Sequence, residues 1–496
     1  MPFNISSTNP DRLNKLRELF SDTIIYGISS VAARFINYLL VPFHTGVFNP
    51  ALYGVVNLVY VAIAFLNVIF TFGMESAYFR YAESRKDAPH IFKTLQLALL
   101  VFASLLTLVL WLAMPALLPH MNLSPEASGI YLMMLGILWF DTLSIVPFAE
   151  LRLSRKAILF ATLRVVHVLI NVILNFYLIL SLELGIEAVF LANLIATLLV
   201  TVGVWIFTAE FWKGNWSTRW FKASVRFGWP FVPAGIGYVI NEMLDRHFLN
   251  NMNPVHAEQL YGNNITPEDL VGIYSACYKL AVFMLLLVQM YRMAWQPFFM
   301  RHSRDKDSPK TFGQAFIWFN VFSAIIFLVI ALFKEQVVAI NIPILNASLI
   351  DPEYWIGLEI VPFLLLAYWF HGWYINFSSG IFIKEKTSVL YKITLTGAGI
   401  TIAANLLLIP FYGMTGSAVA TLLSYGMMAI TLGIYSKRVM HVPYRLPESF
   451  VLMGLLAVVV FAAPLFGEGI LLQKILPLVL GVAGITGYVY LLAERE

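Results

Sequence analysis

Charged side chains stand where this sequence is otherwise apolar. The stretch SVRFGWPFVPAGIGYVINEMLDRHFLNN carries Glu242, Asp245 and Arg246, and LVGIYSACYKLAVFMLLLVQMYRMAWQPF carries Lys279 and Arg292. Each run is long enough to cross a bilayer, and a charge at bilayer depth costs at least about 2.5–3.5 kcal/mol on insertion scales. Such charges face a bundle interior or a water-filled path. Nearer the N-terminus, FSDTIIYGISSVAARFINYLLVPF holds Arg34 in the same way and is followed by NPALYGVVNLVYVAIAFLNVIF. The similarity of LYGVVNLVYVA to VGIYSACYKLA implies a chain built twice.

The polar residues keep helical spacing. Thr23, Gly27, Ser30, Arg34 and Asn37 share one face of a first span. Arg34 is about twelve residues in, roughly 18 Å from the helix start, near the bilayer centre. A second span repeats the stripe with Asn57, Tyr60, Ala64, Asn67, Thr71, Glu75 and Tyr78. Two such faces wall a hydrated cavity; Gly27, Ser30 and Thr71 equally suit helix packing, whereas packing needs no guanidinium. A seventh span presents Tyr238, Asn241, Glu242 and Asp245. Glu242 and Lys279 fall at a similar depth, so an ion pair between them is expected; Asp245 and Arg246 lie nearer the interface, with Arg246 in reach of headgroups. Asp141 and Arg164 are level across a turn, which predicts an internal bridge. His167 and His371 suit either proton transfer or a buried hydrogen bond. Glu150, Arg152, Arg292 and Lys392 sit near the cytoplasmic interface, lining an inner mouth or facing headgroups.

These groups need helices to hold them, and the composition supplies them. Of 496 residues 59% are hydrophobic and 12% charged, against about 25% in soluble domains. The chain is expected to be all-α, a polytopic membrane protein with no sizeable soluble domain. Net charge +4 says little by itself, and no basic surface interleaved with aromatics points to nucleic acid. Cys277 is the one cysteine, so no intrachain disulfide is possible. No cleavable signal peptide is read at the start; Leu13, Leu16 and Phe20 suggest an interfacial helix over about residues 1–21.

A span needs roughly 20 apolar residues, which gives about fourteen, near 22–43, 52–79, 91–118, 129–150, 157–181, 186–208, 226–249, 270–296, 312–334, 356–383, 388–410, 415–435, 449–466 and 471–492. Basic residues gather in alternate loops, among them Arg80, Arg85, Lys86, Arg152, Arg155, Lys156, Lys213, Arg219, Lys222 and Lys437, and this places both termini in the cytoplasm. Six spans separate the two copies, which makes them parallel repeats with a site between halves. The expected plan is two six-helix bundles around a central cavity, about 22–208 and 226–435, joined by a linker near 209–225 and followed by two further helices within about 436–496. In the linker Trp212, Trp216 and Trp220 recur every four residues, as in a helix at headgroup level.

Neither a phosphate-cradling glycine loop, nor HExxH, nor a cysteine ligand set occurs, so no enzyme is read here. Without a nucleotide site, energy for transport must come from an ion gradient, the membrane potential or the substrate's own gradient.

The residues YGISSVAARFINYLLVPFHTGVFNPALYGVVNLVY, FGMESAYFRY and PFAELRLSRKAILFATLRVVHVLINVILNF, with LDRHFLNN before VGIYSACYKLA, resemble the Wzx-type polysaccharide and O-antigen flippases of the multidrug/oligosaccharidyl-lipid/polysaccharide exporter superfamily. The resemblance covers nearly the whole chain, although the loop near 250–269 is longer than usual for it. It implies carriage of an undecaprenyl-diphosphate-linked oligosaccharide from the inner to the outer leaflet of a bacterial inner membrane, for surface glycans such as lipopolysaccharide or capsule. It also implies a cationic cavity, with Arg34 and Lys279 at mid-depth and Arg80 and Arg292 at the inner mouth. Arginine holds phosphate oxygens in a fork, which suits a diphosphate. Asn37 and Asn67 would line the substrate path. Glu75, Glu242 and Asp245 would balance the empty cavity or bind a coupling H+ or Na+, with the Asp141–Arg164 pair as a further cavity ion pair and no other cofactor. Membrane lipids and polysaccharide polymerase machinery are the expected partners.

Competing readings are a peptidoglycan-precursor flippase, a cation-coupled multidrug antiporter and a membrane glycosyltransferase. Arg34 and Lys279 argue against a cavity for cationic drugs, and the short outward loops argue against a transferase.

Overall fold

The computed structural model describes residues 40–82, 85–119, 127–154, 156–262, 264–303, 305–342, 347–384, 386, 388–466 and 471–493. The protein is all-α. In lipid every backbone N–H and C=O must be satisfied within the segment, so long apolar runs become helices whatever their β-branched content. The main helices are α1 (Leu40–Val47), α2 (Pro50–Thr71), α3 (Met74–Ala82), α4 (Ala88–Leu112), α5 (Ser128–Leu153), α6 (Ala157–Leu180), α7 (Glu187–Phe207) and α8 (Thr218–Gly228). They continue with α9 (Phe231–Asn250), α10 (Pro254–Tyr261), α11 (Pro267–His302), α12 (Ser308–Leu332), α13 (Val361–Ile383), α14 (Ser388–Val439), α15 (Leu446–Ala462) and α16 (Leu476–Ala493). A short antiparallel ladder pairs Asn341 with Ser348 and Ile342 with Ala347.

Among the described residues eleven helices are long and apolar enough to span a membrane. The first expected span lies almost wholly outside the described residues. The seventh forms α9, whose charges keep it out of that count. The eleventh and twelfth run together as α14, broken at Gly413, where φ of 51° departs from helix just beyond Pro410.

By contacts the chain divides into an N-terminal unit, Ala33–Asn251 with Ile265–Gly272, and a C-terminal unit whose described residues lie in Met252–Asn264 and Ile273–Glu496. In the N-terminal unit α9, read from the sequence as opening the second bundle, packs on α2. Gly235 meets Val68 there, where an added Cβ would lie 2.7 Å from the valine Cγ1.

Helix starts follow from their caps. Asn49 accepts from the Leu52 N–H at 2.9 Å with Pro50 next, which costs no N–H the first turn would use. Inside α5, Pro147 lacks the N–H that would bond the Leu143 carbonyl. Gln96 Nε2 at 2.7 Å and Trp205 Nε1 at 3.0 Å donate to that oxygen instead, tying α4 and α7 to α5.

The C-terminal unit is knit by buried amides. Asn320 Oδ1 accepts from Trp369 and Trp373, each at 2.8 Å. Asn376 Oδ1 accepts from the Tyr291 hydroxyl at 2.7 Å, and its carbonyl accepts from Tyr444 at 3.0 Å. Lipid offers no hydrophobic drive between helices, so such bonds and close packing set their positions.

The linker is not one helix. Trp212 sits in a 3₁₀ turn, Ala209–Lys213, against Phe92 and Trp205, while Trp220 in α8 packs on Tyr81. Trp216, between them, is exposed. The long loop holds α10, capped by Asn253 accepting from the Val255 N–H.

Candidate functional site

The charged face of the N-terminal unit is set by a sharp turn. Phe72 and Gly73 both take positive φ, 48° and 67°, ending α2 and re-aiming the chain into α3. Gly73 is required there by conformation and by space, since a Cβ would lie 3.1 Å from the Gly228 Cα. This turn brings Glu75 beside α5, where Arg152 Nη1 donates to its Oε1 at 2.7 Å. Both side chains are about half exposed, 51% and 47%, so the pair stabilises by no more than about 1 kcal/mol.

Arg152 also lies over Phe79, 4.7 Å from its centroid, and 5.9 Å from Phe160. Arg164 lies 4.1 Å over Phe148 and 5.7 Å from the same Phe160. Phe148 and Phe160 meet edge to face at 5.5 Å. Two guanidinium groups thus rest on one aromatic platform, and Arg164 is exposed. Stacking holds a guanidinium by its face and leaves its edge N–H donors for an anion. The bridge expected between Asp141 and Arg164 is not closed. They interact across a longer distance than an ion pair, because Phe148 holds the guanidinium.

Glu150, expected at an inner mouth or among headgroups, is buried instead. Arg85 forks onto it with N–O distances of 2.6 and 2.9 Å, and the Tyr78 and Ser154 hydroxyls donate to it as well. Burial of a carboxylate is tolerable only with such a donor set. The same contact pushes the Arg85 pKa up, chiefly through its hydrogen bond to Glu150.

A second polar line crosses the helices. The His167 ring meets the Thr197 hydroxyl at 3.1 Å, Thr197 donates to Asn193 Oδ1 at 3.3 Å, and Asn193 donates to the Tyr60 hydroxyl at 3.3 Å. In α9, Arg246 is buried rather than among headgroups. It pairs with Asp245 at 2.8 Å and donates to the Glu242 carbonyl at 2.9 Å. Glu242 is itself buried.

The remaining candidates fall as follows. Arg34 and Asn37 lie outside the described residues. Asn67 is half-buried on α2, and Arg80 is exposed with its guanidinium 4.9 Å over Phe227. Lys279 is half-buried on α11 of the C-terminal unit, and Arg292 is exposed further along the same helix. Arg292 acts electrostatically on His371, whose ring stacks on Tyr425 at 4.7 Å and 4°. Glu242 and Lys279 belong to different units, so their pairing stays an expectation. Among the described residues no three His, Cys, Asp or Glu side chains gather as a metal site.

The paired arginines of the aromatic platform were missed as a pair. The only sequence-local signal is Phe160 four residues before Arg164; Phe79 beneath Arg152 and Phe148 beneath Arg164 come from other helices.

The family described as polysaccharide biosynthesis protein matches residues 19–303. No curated protein sequence matches the chain. The fold is similar to that of the lipid II flippase MurJ in an inward closed conformation, with TM-score 0.70 and 14% identity over 95% of this chain and 99% of that one. It is also similar to an outward-facing multidrug resistance MATE family transporter of the MOP superfamily, with TM-score 0.58 and 16% identity over 86% of this chain and 95% of that one. A MOP superfamily transporter from Pyrococcus furiosus matches with TM-score 0.58 and 15% identity over 86% and 95%.

Proposed function

This chain belongs to the polysaccharide biosynthesis protein family, and from that premise we propose that it flips a polyprenyl-diphosphate-linked oligosaccharide across a bacterial inner membrane by alternating access. The observation that carries the reading is the pair Arg152 and Arg164 on their shared phenylalanine platform. A diphosphate entering an apolar wall needs compensating charge that is already in place. Two stacked guanidinium groups meet that need without side-chain reordering. A cavity for cationic drugs would instead be weakened by them.

In this reading the basic loops face the cytoplasm, both termini lie there, and Arg34 and Lys279 receive the headgroup at mid-depth. Asn37 and Asn67 line its path, and Arg80 and Arg292 line the inner mouth. Asp141, Glu242 and Asp245 balance the empty cavity or carry a coupling H+ or Na+. Polysaccharide polymerase machinery takes the product on the far side.

The test is a deletion strain. Lipid-linked oligosaccharide should accumulate on the inner leaflet, and surface glycan should be lost. Plasmid-borne protein should restore export, and Arg34→Ala should not, at equal protein level. Normal surface glycan in the deletion strain, with altered drug resistance, would move the protein to the antiporters; growth arrest with peptidoglycan-precursor accumulation would move it to the other lipid flippases.

A further inference from the structure

The transport reading leaves α8 without a task, yet the chain around it carries one sign of charge. From Phe211 to Asn241 there is no aspartate or glutamate, while Lys213, Arg219, Lys222 and Arg226 are basic. Within the N-terminal unit one face of α8 is fixed against α3 and α4. At its start the Ser217 hydroxyl accepts from the Trp220 N–H at 3.5 Å, and the Ser217 N–H donates to Thr94 Oγ1 at 3.0 Å. Just before it the Asn215 N–H donates to His90 Nδ1 at 2.9 Å. Trp220 and Phe227 both pack on Tyr81, with ring centroids 5.5 and 6.0 Å away, and the Tyr81 hydroxyl donates to the Ala223 carbonyl at 3.4 Å. At the far end Gly228 has no room for a Cβ beside the Phe72 carbonyl.

These contacts prevent α8 from rolling about its axis, so its opposite face is set as well. Ser224 and Gly228 are the buried side. At about 3.6 residues per turn Arg219, Lys222 and Arg226, spaced three and four apart, form one stripe on the other side. All three are exposed. Arg219 lies 5.2 Å over the Trp220 ring, and among the described residues no carboxylate pairs with any of the three. Like charges one turn apart repel and weaken a helix unless a counter-charge comes from outside it. Open indoles stand at both ends of the stripe, Trp216 at 47% exposure and Trp229 at 60%. A face turned to bulk water gains nothing from two open indoles, whereas one at headgroup level does. The membrane is close by, since the spanning helix α7 ends at Phe207, one short turn before α8.

We propose that the exposed face of α8 is a docking surface for acidic phospholipids of the surrounding bilayer. Arg219, Lys222 and Arg226 take up their phosphates, and Trp216 and Trp229 seat among the headgroups on either side. Basic side chains at a membrane surface gain from anionic lipids, in proportion to their number and less at high salt. Lysine serves here as well as arginine, because three separate side chains meet mobile headgroups and no single fork is required. The leaflet, the cytoplasmic one, is taken from the transport reading above; the binding itself does not depend on that reading.

The full-length protein in detergent is titrated with phosphatidylglycerol, cardiolipin or phosphatidylcholine, and bound lipid is counted by native mass spectrometry. Arg219→Gln, Lys222→Gln and Arg226→Gln together should weaken binding of the two acidic lipids at least tenfold, at an unchanged melting temperature. Arg219→Lys with Arg226→Lys should keep it. So should a control that removes three exposed charges elsewhere, Lys306→Gln, Lys310→Gln and Lys437→Gln. Undiminished binding in the α8 triple variant, or an equal loss in the control, overturns the proposal. Displacement of the α8-dependent lipid by equimolar undecaprenyl diphosphate overturns it too, since the surface would then serve the transported head. Should the α8 triple variant fail to fold, Thr218→Cys with Cys277→Ser carries a benzophenone beside the stripe. In nanodiscs of equal phosphatidylglycerol and phosphatidylcholine it should capture the former at least threefold in excess, and equal capture would overturn the surface. If the deletion strain keeps its surface glycan, the transport reading fails while the lipid binding still stands or falls by these results.

Discussion

Arg85 and Glu150, 65 residues apart, meet in a fork of 2.6 and 2.9 Å around a carboxylate that is 1% exposed. The loop before α4 is thereby fastened to the end of α5. Breaking a buried pair from one side is strongly destabilising, but Arg85 is 40% exposed, which discounts the figure.

Glu150→Gln should therefore lower stability by about 1–3 kcal/mol, read as a falling melting temperature in detergent. Arg85→Ala should lower it too, and the double variant should lose less than the sum of the two. The Arg85 pKa is raised, so its contribution is fully present below the ordinary arginine value, and Arg85 itself adds no pH dependence to stability between about pH 6 and 9. Strict additivity in the double variant would show that the fork carries no coupling.

Arg164→Ala and Arg152→Ala should each cut glycan export about tenfold, equivalent to ~1.4 kcal/mol, with little change in melting temperature. Arg164→Lys should not restore it, because an ammonium neither stacks flat on Phe148 nor forks onto a phosphate. Full activity in the lysine variant would reduce the platform to a point charge.

Glu242 and Lys279 are expected to pair during the cycle. Glu242→Lys and Lys279→Glu should each abolish export, and the two together should recover a measurable part of it. The absence of any recovery at normal protein level would remove the pair.

The Tyr261 hydroxyl accepts from the Met414 N–H at 2.8 Å, beside the Gly413 break in α14. The long loop thus acts as a brace, α10 resting on that break. Tyr261→Phe should destabilise by about 1 kcal/mol, the usual value for one such bond. Gly413→Ala should do more, since its φ of 51° disfavours a side chain and the tyrosine ring fills the space. Equal melting temperatures for Tyr261→Phe and the parent would show that packing alone holds the brace.

Lys334 lies just past α12 and donates to the Leu358 carbonyl at 3.1 Å. Burial pushes its pKa down from the ordinary lysine value. A pKa lowered on folding means that the unfolded chain binds more protons, so this residue's contribution is complete above the ordinary value and is lost as pH falls through the lowered one. Lys334→Met should therefore raise the melting temperature near neutral pH. Its advantage over the parent should shrink as pH rises toward 10, and an advantage that grew would reverse the assignment.

The sequence by itself determined the helices. Runs of apolar residues about 20 long leave the backbone one way to satisfy itself in lipid, so span positions were legible. They were legible even at Pro410 and Gly413, where α14 breaks. Local grammar could have shown only the Phe160–Arg164 spacing, since the other ring contacts of the platform run between helices. What only the tertiary structure decided was which charge meets which. Arg164 lies on Phe148 rather than bridging Asp141, Arg246 is buried against Asp245, and Glu150 takes Arg85 from a distant loop. Helical periodicity fixes the face a residue occupies only relative to its own axis. The rotation of one helix against the next is set by packing at points such as Gly235 on Val68 and Gly54 on Gly272, tenths of an ångström that no single segment encodes.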